Sequence, residues 1–378
     1  MVEWKKIEDM GSFFGGLTGK RKEDFVDGNA RFITYMNVFS NPSLDTTATG
    51  SVRIGEKEKQ NKIQKGDILF TGSSETPDEA GMSCVVTKDL DDDYYMNSFC
   101  FGIRITTPSL YNLDYLKHLL RSAKTRKNIS KSSSGVTRFN VSKARFGKIL
   151  IPIPSLQEQE RIVNILDTFT ASIDNLKAQI EQRRKQYEHY RDSLLDLEGK
   201  PGVEMKTLGE VCIIKTGRGI TQKDCSDGAP YPVMSGGQTP MGNYKEYNRE
   251  GNTVTISRVG AYAGFVSFMT ERFYCNDKCF SVIPNKVIDI EPKFLYSLLK
   301  NNEKSIKELQ SEGGVPTINT KKIGGISIPL PPLSEQERIV SILDKFEASI
   351  ANLEAQLEQR QKQYEYYRER LLTFEKSE

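Results

Sequence analysis

The longest hydrophobic pattern in this 378-residue chain is a stripe spaced in alternating steps of three and four. It runs through Ile162, Leu166, Phe169, Ile173, Leu176, Ile180, Arg183, Tyr187, Tyr190, Leu194 and Leu197, a heptad seam that predicts one long amphipathic helix. The stripe returns at a constant offset of 177 residues (333 − 156), as Ile339, Leu343, Phe346, Ile350, Leu353, Leu357, Arg360, Tyr364, Tyr367, Leu371 and Phe374. The repeated sequences begin "LQEQERIVNILD" at Leu156 and "LSEQERIVSILD" at Leu333. Proline-bearing stretches, "IPIP" and "IPLPP", are extended and lead into each copy. Ser334 with Glu337 forms a capping box for the second copy, and Ser155 or Gln157 caps the first. "EGKPG" at Glu198–Gly202 stops the first helix.

A narrow apolar stripe left in water needs a partner, and the other copy is the nearest one. The alternative is that each helix packs on its own module. Arg183 and Arg360 are polar members of the seam, which weaken pairing but penalise shifted registers. On that reading Arg183→Leu raises thermal stability. Each helix spans about 60 Å at ~1.5 Å per residue, so it acts as a ruler for whatever it carries.

The segments before the two helices read as unlike modules, residues 1–150 and 199–327, with the helices in 151–198 and 328–378. Short β-rich runs such as "KGDILFTGSS", "YMNSFCFGIRI", "GNTVTISRVG" and "KCFSVIP" are bounded by Gly, Asn, Asp or Ser. Each module also has a helical pattern near its end, "LDYLKHLLRSA" and "PKFLYSLLKNNEKSIKEL", and the two close alike. Duplication therefore covers whole units, and a pseudo-two-fold arrangement follows.

Hydrophobic residues at 37% and charged residues at 27% describe a folded chain and exclude a disordered one. No apolar run reaches the ~18 residues of a membrane span and the N-terminus has no signal-peptide core, so a cytoplasmic address is expected. The 6 cysteines are scattered and read as buried thiols. "CNDKC" has the wrong gap for a zinc knuckle, and with only His118 and His189 in the chain no metal is expected.

Net charge is only +3, yet Lys117, Arg121, Lys124, Arg126, Lys127, Lys131, Arg138, Lys143, Arg145 and Lys148 follow one another without an acidic residue between them. Such a run suits phosphate neutralisation or a plain solvated face. Loops elsewhere carry groups that contact phosphates and base edges: Lys20, Arg21 and Lys22; Ser73, Ser74 and Thr76; Arg218; Gln238; Asn243, Tyr244, Tyr247, Asn248 and Arg249; Arg258 and Tyr262. Geometry favours Arg on guanine and Asn or Gln on adenine in a major groove. "GGLTGKR" lacks the upstream glycine and hydroxyl residue of a phosphate loop, and "TGRGIT" lacks the context of a dinucleotide site. No "DPPY" or "NPPY" run of an adenine methyltransferase occurs. "SSETPDEAG" offers Glu75, Asp78 and Glu79 without a visible basic partner and reads as a capped surface loop.

The plan of variable module, "IPIP" or "IPLPP" lead-in, "EQERIV…ILD" helix, second variable module and second helix resembles the DNA sequence-specificity subunit of type I restriction-modification enzymes, over essentially the whole chain. The resemblance implies an α+β fold: two mixed, mainly β target-recognition domains joined by two long helices that form an intramolecular antiparallel coiled coil. Leu166, Phe169, Ile173, Leu176, Ile180, Leu343, Phe346, Ile350, Leu353 and Leu357 would make its seam. It further implies that each domain reads one half of a bipartite asymmetric site in double-stranded DNA and that the coiled coil sets the unread spacer. Two adenine-methylating methyltransferase subunits and, in the full enzyme, restriction subunits would dock, with 158–198 and 335–375 matching the family's docking helices. Catalysis would reside in those partners, with no cofactor held here and no membrane involved. The family's base contacts vary with the target, so the DNA-binding residues remain this chain's own reading: Lys20, Arg21, Lys22, Ser73, Ser74, Lys124, Arg126, Lys127, Lys131, Arg138, Arg218, Gln238, Tyr244, Asn248, Arg258 and Tyr262. The rival readings are a protein-protein scaffold with two binding modules and a fusion fragment with cryptic catalysis.

Overall fold

The computed structural model describes residues 2–311 and 313–375. The chain divides into two compact units, Met1–Lys177 with Gln356–Glu378, and Ala178–Ala355. Each holds one globular module and a segment of both long helices.

In the first unit the strands Gly11–Gly15, Cys100–Ile105, Asp67–Thr71 and Ser83–Val85 form an antiparallel sheet in that order. Its central strand, "DILFT", is buried at every position. Strand side chains alternate between faces. Ile68 and Phe70 accordingly enter a core with Tyr115, Leu116, Phe146, Ile162 and Leu166, while Leu69 joins Ile33, Val38, Cys84, Tyr94 and Met96 on the other side. Burial on both faces is why this strand is an apolar run instead of an alternating one. A second sheet sets Ala30–Ile33 antiparallel to Thr49–Val52 and parallel to Tyr94–Met96. Glu3–Lys6 pairs antiparallel with Leu150–Ile153, tying the start of the module to its proline lead-in.

The second unit repeats this topology. Cys212–Thr216, Cys279–Pro284, Thr253–Ser257 and Val266–Met269 make the four-stranded sheet. Tyr231–Met234 lies antiparallel to Asn243–Tyr244 and parallel to Tyr274–Cys275, and Glu204–Thr207 pairs with Ser327–Leu330. "CNDKC" is thereby the counterpart of "MNSFC" at Met96–Cys100: each links the parallel strand to the next antiparallel one. Cys275 and Cys279 are buried and donate to backbone carbonyls, as structural thiols.

The long helices cover Leu156–Leu195 and Leu333–Leu371. Both end before the expected 198 and 375. Leu197 has left the first helix and is buried in the core of the second unit, while Gly199 turns the chain at φ 74°. The expected Ser334 cap is displaced by two positions, since Leu333 is already helical and the Pro332 carbonyl accepts the Glu335 and Gln336 N–H groups. In the first helix Ser155 fills the cap: its Oγ accepts from Glu158 N–H at 3.4 Å and its carbonyl from Gln159 N–H.

Within each unit the helix segments run antiparallel. In the first, Ile162 and Leu166 share a core with Leu371 and Leu372, whereas Phe169 lies under Arg360. In the second, Arg184 pairs with Glu354 at 2.6 Å, Tyr187 bonds Glu347 at 3.0 Å, and Leu195 shares a core with Ile339 and Leu343. Seam residues Leu166, Ile173, Leu176, Ile180 and Leu343 are buried, and Phe169, Phe346, Ile350, Leu353 and Leu357 are half-buried. One contact is made twice: Phe169 stacks on Tyr367 at 5.2 Å with the Arg360 guanidinium 5.6 Å from its ring, and Phe346 stacks on Tyr190 at 5.3 Å with Arg183 at 5.8 Å. The two arginines are therefore cation–π partners and not unpaired seam groups. Leucine at 183 would forfeit that contact, which removes the basis for an expected gain in stability.

A buried glutamine ties each long helix to its module. Gln159 accepts the Asn112 N–H and donates to the Leu110 and Pro154 carbonyls. Gln336 accepts the Glu291 N–H and donates to the Asp289 and Pro331 carbonyls. Asn112 and Glu291 are the N-caps of the helices Leu113–Leu119 and Pro292–Asn301, so each glutamine closes a loop entering a helix. Gln336→Ala strands three backbone groups in a dry site and should cost about 2–3 kcal/mol. Chemical unfolding of the full chain should show the second unit's transition moving to lower denaturant while the first unit's stays in place.

Candidate nucleic-acid interface

In both units the four-stranded sheet ends in a cluster of loops. In the first, Leu17 N–H bonds the Met96 carbonyl, Gly72 N–H the Phe99 carbonyl, and Val141 N–H the Gly72 carbonyl. A Cβ at Gly72 would lie 2.7 Å from the Phe99 oxygen, so only glycine permits this approach. Arg138, Ser73, Phe99, Glu75, Glu79 and Tyr35 line a cavity of about 430 Å³ there. Arg138 Nε donates to Ser73 Oγ at 2.9 Å, Tyr35 OH donates to the Ser73 carbonyl at 2.8 Å, and Ser74 Oγ donates to Glu79 at 3.2 Å. Ser73 and Ser74 are buried, so they hold Arg138 and Glu79 and are not themselves surface donors.

The basic residues separate into two groups. Arg121 donates to the Ser83, Val38, Phe39 and Asn41 carbonyls, and Arg126 to those of Asp78, Ala80 and Gly81. Burial pulls both guanidiniums down to about 10, and both are spent inside the fold. Lys117 is paired with Asp114 and Asp167, acidic partners the linear run does not reveal. Lys20 sits on the Glu58 carboxylate and the Arg53 carbonyl, with only 8% of its side chain exposed. The Glu58 carboxyl is held down to about 2 by the Gly55 N–H first and then by Lys20. Lys124 lies 5.6 Å from the Trp4 ring and bonds the Phe374 carbonyl. Arg126, Lys20 and Lys117 thus leave the set of phosphate contacts, because backbone carbonyls or carboxylates already occupy them. Arg21, Lys22, Lys127, Lys131 and Arg138 are exposed, with Lys127 inside the helix Ala123–Ser130 and Lys131 at its C-terminal cap, and the 78–81 loop rests on this helix.

In the second unit Gly217 N–H bonds the Asn276 carbonyl, Asn276 Nδ2 the Ile220 carbonyl, Ser257 Oγ the Gly237 carbonyl, and Gly260 N–H the Pro316 carbonyl. A Cβ at Gly217 would fall 1.6 Å from the Cys275 oxygen, which explains the glycine in "KTGRGIT". These bonds gather Arg218, Gln238, Arg258 and Tyr262 into one cluster, with Arg218, Gln238 and Tyr262 exposed. Arg258 Nη1 donates to the Asp277 carbonyl at 3.2 Å and its N–H bonds the Lys278 carbonyl. Tyr244 packs edge-on to Tyr274 at 5.0 Å. Asn248 bonds both the N–H and the carbonyl of Cys275, pinning the parallel strand, and so serves the fold instead of the interface.

Sequence reasoning missed Tyr35, Phe99 and Lys278. Phe99 and Lys278 occupy the same place in "MNSFC" and "CNDKC", and aligning the modules on Asn97 and Asn276 would have found them. Among the described residues no group of His, Cys, Asp and Glu could hold a metal ion, and no helix is long and apolar enough to cross a membrane.

The profile of the type I restriction modification DNA specificity domain matches residues 1–183 and 201–360. A protein named as a type I restriction enzyme specificity subunit of Haemophilus influenzae is 34% identical over 289 residues, covering 70% of this chain and 72% of that one. The EcoprrI specificity subunit of Escherichia coli is 29% identical, covering 92% and 88%. The crystal structure of a type I restriction-modification S subunit from M. genitalium superposes with a TM-score of 0.62 at 19% identity, covering 100% of this chain and 97% of that one, a likeness of fold. With two modules of one topology, each on paired helix segments and each ending in a polar loop cluster, this chain belongs to the type I restriction-modification DNA specificity family.

Proposed function

We propose that the chain is the non-catalytic reader of a type I restriction-modification enzyme, recognising a bipartite asymmetric site in double-stranded DNA. Each module engages one half-site through its loop cluster, with exposed lysines and arginines on phosphates and loop side chains on base edges in the major groove. The carrying observation is that one topology occurs twice while its loop clusters differ: Arg138, Phe99 and Glu79 in one, Arg218, Gln238, Arg258 and Lys278 in the other. Unlike readers on like scaffolds are what an asymmetric site requires. The long helices set the unread spacer and offer 158–198 and 335–375 to two methyltransferase subunits, with restriction subunits joining the full complex. Exposed Tyr366 and Tyr367 suit such a protein contact.

The test is single-molecule methylation mapping in cells that carry the methyltransferase partner, with and without this chain. A gapped, asymmetric motif that depends on the chain supports the reading. Methylation without such dependence, or duplex binding by the purified chain that ignores salt, points to a protein scaffold instead.

A further inference from the structure

The first module's cavity holds hydrogen-bonding groups of both senses, already fixed in place. Arg138 spends Nε on Ser73 Oγ and rests its guanidinium 5.2 Å from the centroid of Phe99. Ser73 is in turn held by Tyr35. Among the described residues nothing accepts from Nη1 or Nη2 of Arg138, so a flat two-pronged donor faces outward with its orientation set beforehand. Glu79 takes both of its bonds, from Ser74 and Thr76, on Oε2. Oε1 is left to accept, and Glu75 lines the same cavity.

The carboxylates decide what this arginine receives. A phosphate entering here would meet Glu75 and Glu79 as like charges. A base edge is neutral and meets no such repulsion. Guanine presents two acceptors, O6 and N7, in the major groove, matching the Nη pair. Its cytosine partner presents the N4 amino donor that a carboxylate accepts. We propose that this cavity reads one G·C base pair in the first module's half-site, Arg138 donating to guanine O6 and N7 and Glu79 accepting from cytosine N4. The inference rests on the DNA-reading role above. The second module does not carry the same set: Lys278 stands where Phe99 does, and Arg258 spends Nη1 on the Asp277 carbonyl.

The experiment co-expresses the full chain with its methyltransferase partner and reads the methylated motif by single-molecule sequencing for the wild type, Arg138→Gln, Arg138→Lys and Glu79→Gln. Expected is a wild-type motif in which one half-site contains a G·C pair whose preference falls roughly 5- to 150-fold in Arg138→Gln and Glu79→Gln, with the other half-site and the gap unchanged. Arg138→Lys keeps the charge but not the fork, so it does not restore the preference. If the motif survives in the Gln variants while methylation drops evenly across sites and Arg138→Lys recovers it, Arg138 is a phosphate anchor and the inference is overturned. Loss of preference at an A·T pair overturns it equally. A wild-type chain that directs no motif would sink the DNA-reading role itself, which is a separate result.

Discussion

Deleting the equivalent heptads Leu176–Gln182 and Leu353–Gln359 from the two long helices is expected to shorten the unread spacer while leaving both half-site sequences as they were. Seven residues of helix are ~10 Å at ~1.5 Å each, and one base-pair step is ~3.4 Å, so the spacer should contract by up to about three base pairs. Removing a full heptad keeps the 3.5-residue repeat in phase, so the seam meets the same neighbours on either side of the cut. A four-residue deletion would instead rotate one half of the stripe away from its partner and should cost stability. Methylation mapping gives the outcome directly. A variant that changes its half-sites, or keeps the original spacer, would show that the helices do not set the distance.

The second large effect concerns Arg121. The helix Tyr35–Ser40 ends with the Val38 and Phe39 carbonyls unpaired within the helix, as every helix end must. The Arg121 guanidinium takes both, together with the Asn41 and Ser83 carbonyls, at 2.6–3.1 Å. A single cation thus joins a helix end, the turn after it and an edge strand. Arg121→Met fills similar volume but leaves four carbonyls without a donor, and should destabilise the first unit by about 3–4 kcal/mol. Arg121→Lys should recover only part of this, since a point charge cannot span the fork. Chemical unfolding of the full chain followed by two probes separates the units, because a chain of two domains is not obliged to unfold in one step. A shift below about 1 kcal/mol in the first unit's transition would count against this account.

The contrast between Arg121 and Arg138 marks the limit of the linear reading. Both stand in one basic run with no acidic residue, and no local pattern separates them. One is enclosed because two distant segments, 38–41 and Ser83, turn carbonyls toward it, and the other is left open because Ser73 and Phe99 occupy only one of its sides. Long-range pairing decides this, and periodicity does not carry that information. The helix seam, by contrast, was legible because the contacts it requires repeat every 3.5 residues. The β runs were legible as strands but their order was not, since the parallel pairing of Ala30–Ile33 with Tyr94–Met96 joins residues some sixty positions apart. Gln159 and Gln336 fall inside the repeated "EQERIV" stretches, where a polar residue type carries no sign of burial. Only the structure reveals that each is wholly enclosed.

The strand pairs Glu3–Lys6 with Leu150–Ile153 and Glu204–Thr207 with Ser327–Leu330 bring the two ends of each module side by side. The polypeptide therefore enters and leaves a module at one doorway, and everything between is a cassette hung from that point. Exchanging the cassette between relatives would leave the doorway and the rods untouched, and under the reading role proposed above such an exchange should replace one half-site in a single step.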